Sequence, residues 1–261
     1  PDGLVMTALH LPISGQLSVN SVVKIVPCAN MVMRPHLKST TRIFWKTRRD
    51  CGKSVGFMKK PTPAKPAPRV SVRKRKTRET DISCTLILDG SGTAKVSTGI
   101  PFFDHMLEAL TRHSLFDLEL TAKGDLEVDY HHTMEDVGIV LGEALNEALA
   151  DRKGIRRYGF SLLPMDESLS QVAIDLGGRP YFVYSINNKT RRIRDFDTGL
   201  FEEFWRAFAT AGRMNLHIAH LYGKDIHHAH ESVFKAVAKS LDMAVTVDPR
   251  VTGVPSSKGS L

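Results

Sequence analysis

From Ile82 onward, hydrophobic positions change between a period of two and a period near 3.6, and they do so twice in the same order. Ile82 to Leu88 alternates as a strand, Asp89-Gly90-Ser91-Gly92 is a turn, and Thr93 to Val96 returns as the second arm of a hairpin. Phe102 to Arg112 reads as a helix and Leu115 to Thr121 as a strand. A longer helix then runs to about Ala150, with Leu141, Leu145 and Leu149 on one face, and Gly154 closes this half. The plan restarts with a hairpin of Leu169 to Asp175, Gly177-Gly178 and Tyr181 to Ser185. A helix over Thr198 to Ala211 carries Leu200, Phe204 and Phe208 at fourfold spacing. A strand at Met214 to Ala219 and a helix at Ser232 to Thr246, with Val233, Val237 and Leu241 inward, complete it. The pattern predicts ββαβα twice, over about 77–154 and 155–250. That is a duplicated two-layer α/β unit with helices packed on a sheet face.

Each half carries the same polar signature. His131-His132-Thr133-Met134-Glu135-Asp136 opens helical character in the first, and His227-His228-Ala229-His230-Glu231 does so in the second. In both, the glutamate follows the first histidine by four residues and the second by three, spacings that share a helix face. Adjacent helical residues point about 100° apart, so two neighbouring imidazoles suit two ions better than one. Two such pairs, each with a carboxylate, point to a dinuclear metal site. Nitrogen-rich ligation of this kind fits Mn, Fe, Zn or Ni.

Composition changes the picture mainly at the N-terminal end. Hydrophobic residues make up 42%, enough for a globular core. The net charge of +8 is unevenly spread: residues 1–76 hold 16 Lys and Arg against Asp2 and Asp50, while the rest hold 20 against 26 acidic residues. Residues 1–72 therefore read as a disordered targeting segment, with 61–68 (Pro-Thr-Pro-Ala-Lys-Pro-Ala-Pro) as an extended linker. A plastid stroma is the expected address, ahead of a mitochondrion or the cytoplasm. A nucleic-acid arm is disfavoured, since no aromatics interleave the basic residues beyond Phe44, Trp45 and Phe57. No apolar run approaches 18 residues, so no transmembrane helix is expected. Three cysteines are too few for a disulfide framework, and Cys28, Cys51 and Cys84 are read as reduced and not catalytic.

Six strings occur in a telling order. They are Phe102-Phe103-Asp104-His105-Met106-Leu107, the first histidine motif, Asn215-Leu216-His217-Ile218, the second motif, Phe234-Lys235-Ala236, and the ending Ser256-Ser257-Lys258-Gly259. Over about 73–261 the chain resembles the imidazoleglycerol-phosphate dehydratases of histidine biosynthesis. The resemblance implies a catalytic domain at 73–261 with a substrate-binding tail, and helices between two mixed sheets in a ribosomal protein S5 domain 2-like fold. It also implies two Mn²⁺ per active site and homo-oligomers of 24 subunits built from trimers with shared metal sites. Carried onto this chain, the metal ligands are His105, His131, His132, Glu135, His217, His227, His228 and Glu231. Glu79, His113, Arg157, Arg179, Lys235, Ser257 and Lys258 match substrate contacts. Glu79, Glu135 and Glu231 match residues placed at the chemistry. This chain departs from the family at Ala109, where a glutamine is common.

The implied reaction is loss of water from a phosphorylated imidazole substrate. The metals act as Lewis acids and as a template, and a general base takes the carbon proton, with Glu79 the candidate. The fixed cations suit a phosphate: arginine binds it bidentately, and lysine acts as a point charge. Two other classes stay open on the residues alone. A dinuclear metallohydrolase would act on a phosphorylated small molecule through a metal-bound hydroxide. A non-catalytic metal-binding protein would not need the cations beside the histidines. His220 and His230 have no assigned role, and His10 and His36 are read as inert.

Overall fold

The computed structural model describes residues 67–186 and 192–259. The expected targeting segment lies outside the described residues as far as residue 66. So do Cys28, Cys51, His10, His36 and Arg191. The first half comprises β1 (Val70–Lys76), β2 (Thr80–Ile87), β3 (Ala94–Ser97), α1 (Pro101–Ser114), β4 (Asp117–Gly124) and α2 (His131–Leu149). The second comprises β5 (Tyr158–Met165), β6 (Ser168–Asp175), β7 (Tyr181–Ile186), α3 (Leu200–Ala211), β10 (Asn215–Tyr222) and α4 (Ile226–Val245). The small hairpin β8 (Arg192–Ile193) and β9 (Phe196–Asp197) comes before α3.

The sheets repeat one topology, β1-β2-β4-β3 and β5-β6-β10-β7. In each, three strands are antiparallel and the fourth, β3 or β7, runs parallel to its neighbour. Each half is therefore βββαβα, one strand more than the ββαβα pattern predicts. Both extra strands are edge strands whose inward rows are polar in β1 and only partly apolar in β5. In β1 that row is Ser71, Arg73 and Arg75, which bond to Glu147 at 2.6 Å, Glu143 at 2.7 Å and Asp136 at 3.0 Å on α2. In β5 it holds Gly159 and Ser161, and the Ser161 hydroxyl donates to the Ala236 carbonyl at 2.8 Å. A Cβ at Gly159 would collide with the Ser240 carbonyl, so the missing side chain lets β5 lie against α4. Pro164 is tolerated because an edge strand leaves one side of its backbone unpaired. Because β1 starts at Val70, the folded part begins ahead of the boundary expected at 73.

The other strands alternate as read. Ile82, Cys84 and Leu86 of β2, Leu118 and Leu120 of β4, and Leu216 and Ile218 of β10 are buried. Helix α2 lies on the first sheet and α4 on the second, while α2 packs on α3 and α1 on α4. The four helices thus form the middle layer between two mixed sheets. Phe201, Phe204, Trp205 and Phe208 of α3 are buried at its centre, each side chain contributing about 1.5–3 kcal/mol. At Gly138 and Gly142 of α2, an added Cβ would stand 2.6 Å from the Phe204 and Phe208 carbonyls. These glycines set how closely α2 and α3 approach, and they show the two helices running in the same sense. Among the described residues no helix is long and apolar enough to cross a membrane. Cys84 is buried in β2, and burial pushes its thiol up to about 12, out of reach of nucleophilic chemistry at neutral pH.

Candidate active site

Both histidine motifs sit in the first turns of helices, α2 and α4. Helix α4 begins at Ile226, six residues ahead of the expected Ser232, so the second motif lies wholly inside it. The starts are built alike: the Asp129 carboxylate accepts from the His131 N–H at 2.7 Å, and Asp225 accepts from the His227 N–H at 2.7 Å.

Around α4 a compact group forms. His105, from the second turn of α1, comes together with His227 and Glu231, their ligand atoms all within 4.8 Å of one another. His227 Nε2 stands 3.0 Å and His105 Nε2 3.6 Å from Glu231 Oε2, while Lys235 Nζ donates to Glu231 Oε1 at 2.9 Å. Burial pushes the Glu231 carboxyl up, but the Lys235 ammonium and the neighbouring imidazoles more than offset it, so its pKa is lowered overall. His228 turns away from the group: its Nδ1 bonds Glu167 Oε2 at 2.8 Å. That bond raises the His228 pKa and holds the Glu167 carboxyl down at about 2.

Around α2 the arrangement is looser. His131 Nε2 is 3.8 Å from Glu135, and both side chains are more than two-fifths exposed. His132 Nδ1 bonds Asp125 at 3.0 Å, which raises its pKa, and Glu79 lies 3.9 Å from the same nitrogen. A run of rings, Tyr130, Phe196, Phe102 and His227, with successive centroids 5.2–6.2 Å apart, lies between the two motifs.

Other expected residues stand elsewhere. His217 is not brought to either group. Strand β10 turns Leu216, Ile218 and His220 inward and His217 outward, where its ring stacks on Tyr181 at 6.0 Å. The Arg157 guanidinium is engaged by Asp175 at 2.6 and 2.9 Å and by the Pro255 carbonyl at 2.8 Å, so it anchors the tail. Ser257, Lys258 and Arg179 are exposed. His113 is half-buried, and burial together with Lys235 and Lys239 lowers its pKa. Ala109 is partly exposed one turn beyond His105. His220 and His230 are buried behind the second motif, the latter against the Phe201 ring at 4.9 Å. Burial, and then the charges of His220 and His227, pushes His230 down to about 3. Both are neutral packing groups in this setting. Glu167 and Asp125 were not singled out in the sequence, because what marks them is a tertiary contact.

Residues 98–241 match the profile of the imidazoleglycerol-phosphate dehydratase family. The enzyme of that name from Bacillus licheniformis is 52% identical over 193 residues, covering 74% of this chain and all of the relative. The chain belongs to the imidazoleglycerol-phosphate dehydratase family. The Alkaliphilus metalliredigens member is 54% identical over 187 residues, 72% of this chain and 96% of its own. Among solved structures, the Pyrococcus furiosus dehydratase superposes with a TM-score of 0.63 at 34% identity, covering 72% of this chain and all of its own. The Staphylococcus aureus dehydratase gives 0.61 at 35% identity, covering 69% and 99%. The chain is thus a dehydratase, a lyase of histidine biosynthesis, as the ordered motifs imply. The hydrolase and storage readings are set aside.

Proposed function

We propose that this chain converts D-erythro-1-(imidazol-4-yl)glycerol 3-phosphate to 3-(imidazol-4-yl)-2-oxopropyl phosphate at a dinuclear manganese centre drawn from its two histidine motifs. The observation that carries the reading is the convergence of His105, His227 and Glu231, with a lysine bonded to the same carboxylate. Two imidazoles and a carboxylate are a donor set that a borderline divalent ion accepts. When bound, the ions supply Lewis acidity and a template for the substrate imidazole.

The repeat completes the donor set. The burial pattern of α1 recurs in α3 at a constant offset of 98: Phe103 with Phe201, Met106 with Phe204, Leu107 with Trp205, Leu110 with Phe208. His105 then corresponds to Glu203. Helix α3 lies beside α2 as α1 lies beside α4, so we take Glu203 in place of His217 as the partner of His131 and Glu135. Lys235, Lys258 and Arg179 are assigned to the phosphate. Arg157 serves by holding the tail that carries Ser257 and Lys258. Glu79, with its side chain 53% exposed, takes the carbon proton.

We also propose that the chain assembles into about 24 copies built from trimers, with metal sites shared between chains. Two features support this. The first motif is left open within one chain. The outer face of the second sheet exposes Tyr158, Phe160, Leu162, Tyr181 and Val183, an apolar patch of the kind that another surface covers. The basic leader supports delivery to a plastid. The test is incubation of the full chain with the substrate, with and without Mn²⁺, while following product and particle mass. Keto product and a particle of about 24 copies are expected only with metal. Phosphate release without keto product would sink the reading.

A further inference from the structure

We propose that Asp125 and Glu167 are positioning residues for the metal centre: each holds the Nδ1–H of the second histidine in its motif, His132 or His228, and so dedicates that ring's Nε2 lone pair to an ion. The inference rests on the metal-centre reading above.

The first observation is a division of labour within each pair. The first histidines, His131 and His227, point Nε2 at the glutamate of their own helix, 3.8 and 3.0 Å away. The second histidines instead make their hydrogen bonds through Nδ1, at 3.0 Å to Asp125 and 2.8 Å to Glu167, while His228 Nε2 has only the exposed Asp166 carboxylate at 3.9 Å, beyond hydrogen-bond reach. A carboxylate oxygen only accepts, so Nδ1 must carry the proton, and in a neutral ring the free lone pair is then on Nε2. A carboxylate behind a metal-binding imidazole fixes both its tautomer and its orientation.

The second observation is that the two carboxylates come from positions the repeat does not relate. Glu167 lies in the turn between β5 and β6, one residue before β6, and its counterpart one residue before β2 is Glu79. Asp125 follows the last residue of β4, and its counterpart after β10 is Gly223, which has no side chain. The halves therefore reach the same Nδ1 contact from different loops. In the first half Asp125 has taken the role, which leaves Glu79 at 3.9 Å from His132 and released for proton transfer.

The third observation is that both residues are held from outside the ring they serve, Glu167 through its carboxylate and Asp125 through its backbone. Glu167 Oε1 accepts from the backbone N–H groups of Lys224 and Asp225 at 3.1 and 2.8 Å, and Asp225 in turn caps α4. Glu167 thus couples the loop, the helix cap and the ring of His228. The Asp125 N–H donates to the Glu79 carbonyl at 3.1 Å, and its side chain is only 19% exposed.

The experiment uses the full chain. Long-range ¹⁵N–¹H correlation on the metal-free protein, labelled at histidine, is expected to show Nδ1–H tautomers for His132 and His228. Calorimetric Mn²⁺ titration of Asp125→Asn and Glu167→Gln should give affinities about 10–100-fold weaker than native, with melting midpoints of the metal-free variants close to native. Glu167→Gln keeps an oxygen for the two backbone N–H groups while presenting an amide N–H to His228 Nδ1, so His228 should switch to the Nε2–H tautomer. An Nε2–H tautomer in the native protein, or native Mn²⁺ affinity in both variants, would overturn the proposal. If a variant does not fold, the native tautomers decide alone. A native chain that binds no Mn²⁺ yet shows Nδ1–H rings would instead sink the metal-centre reading.

Discussion

The two histidine motifs share a sequence but not an environment. Around α4, His227 and Glu231 are closed over by His105 and tied to Lys235. Around α2, His131 is as exposed as His227, but Glu135 is 48% exposed against 12% for Glu231. The repeats differ at two positions here: α1 brings His105 to α4 where the matching position of α3 carries Glu203, and Lys235 of α4 is matched by Ile139 of α2. Imidazole and carboxylate can then converge as a neutral donor beside an acid in one half. In the other, the Glu203 carboxylate pairs with Arg206 of its own helix at 3.5 Å, and His131 and Glu135 have only each other. Duplication therefore left one half with its imidazoles and carboxylate gathered within one chain and the other with its pair open.

The largest expected effect tests whether the halves depend on each other. Glu231→Gln and Glu135→Gln should each lower turnover by roughly 10³-fold, the worth of several kcal/mol of Lewis-acid stabilisation. Metal analysis should show Glu135→Gln losing about one of two ions. If Glu135→Gln keeps native activity and metal, the open motif is not a site. Next comes Glu79. Glu79→Gln should cost roughly 10²-fold or more in kcat, as for a general base, while metal content stays native. Metal loss would instead give Glu79 the same role as its counterpart Glu167.

The smallest effect separates outer from inner imidazoles in the metal-free protein, by ring NMR titration and melting against pH. His132 and His228 have raised pKa values, from their bonds to Asp125 and Glu167. Their stabilising contribution is full below the ordinary value of about 6.5 and fades as pH rises through the folded value. His230 and His220 have lowered values, chiefly from burial. Their contribution is present above about 6.5 and is lost as pH falls, for His230 toward about 3. His230 should therefore stay neutral at a pH where His228 is fully charged. Titration of both in one step would erase the contrast.

Much of this was legible in the sequence because it is local. Helix faces, hairpin turns and the paired motifs all depend on neighbours within a few residues. The strands β1 and β5 escape because β1 faces its helix with Ser71, Arg73 and Arg75, and β5 breaks its inward row of Leu163 and Met165 with Gly159 and Ser161; only α2 and α4 explain those choices. The alternation Leu216, His217, Ile218 already turns His217 outward, away from both groups within one chain. Nothing local marks Asp125 or Glu167, whose significance is a distance to an imidazole in another element.

Arg69, just ahead of β1, ties the beginning of the fold to its end. Its backbone N–H and guanidinium bond to Asp89 at 2.9 and 2.7 Å, and the guanidinium also donates to the Val245 carbonyl at 2.8 Å, at the last residue of α4. One side chain thus latches the opening hairpin of the first repeat to the closing helix of the second. A chain that keeps Arg69 keeps the latch, while a chain starting at residue 70 loses it. A start at 70 rather than 67 should lower the thermal midpoint by about 2–4 °C, the equivalent of about 1 kcal/mol in a domain of this size.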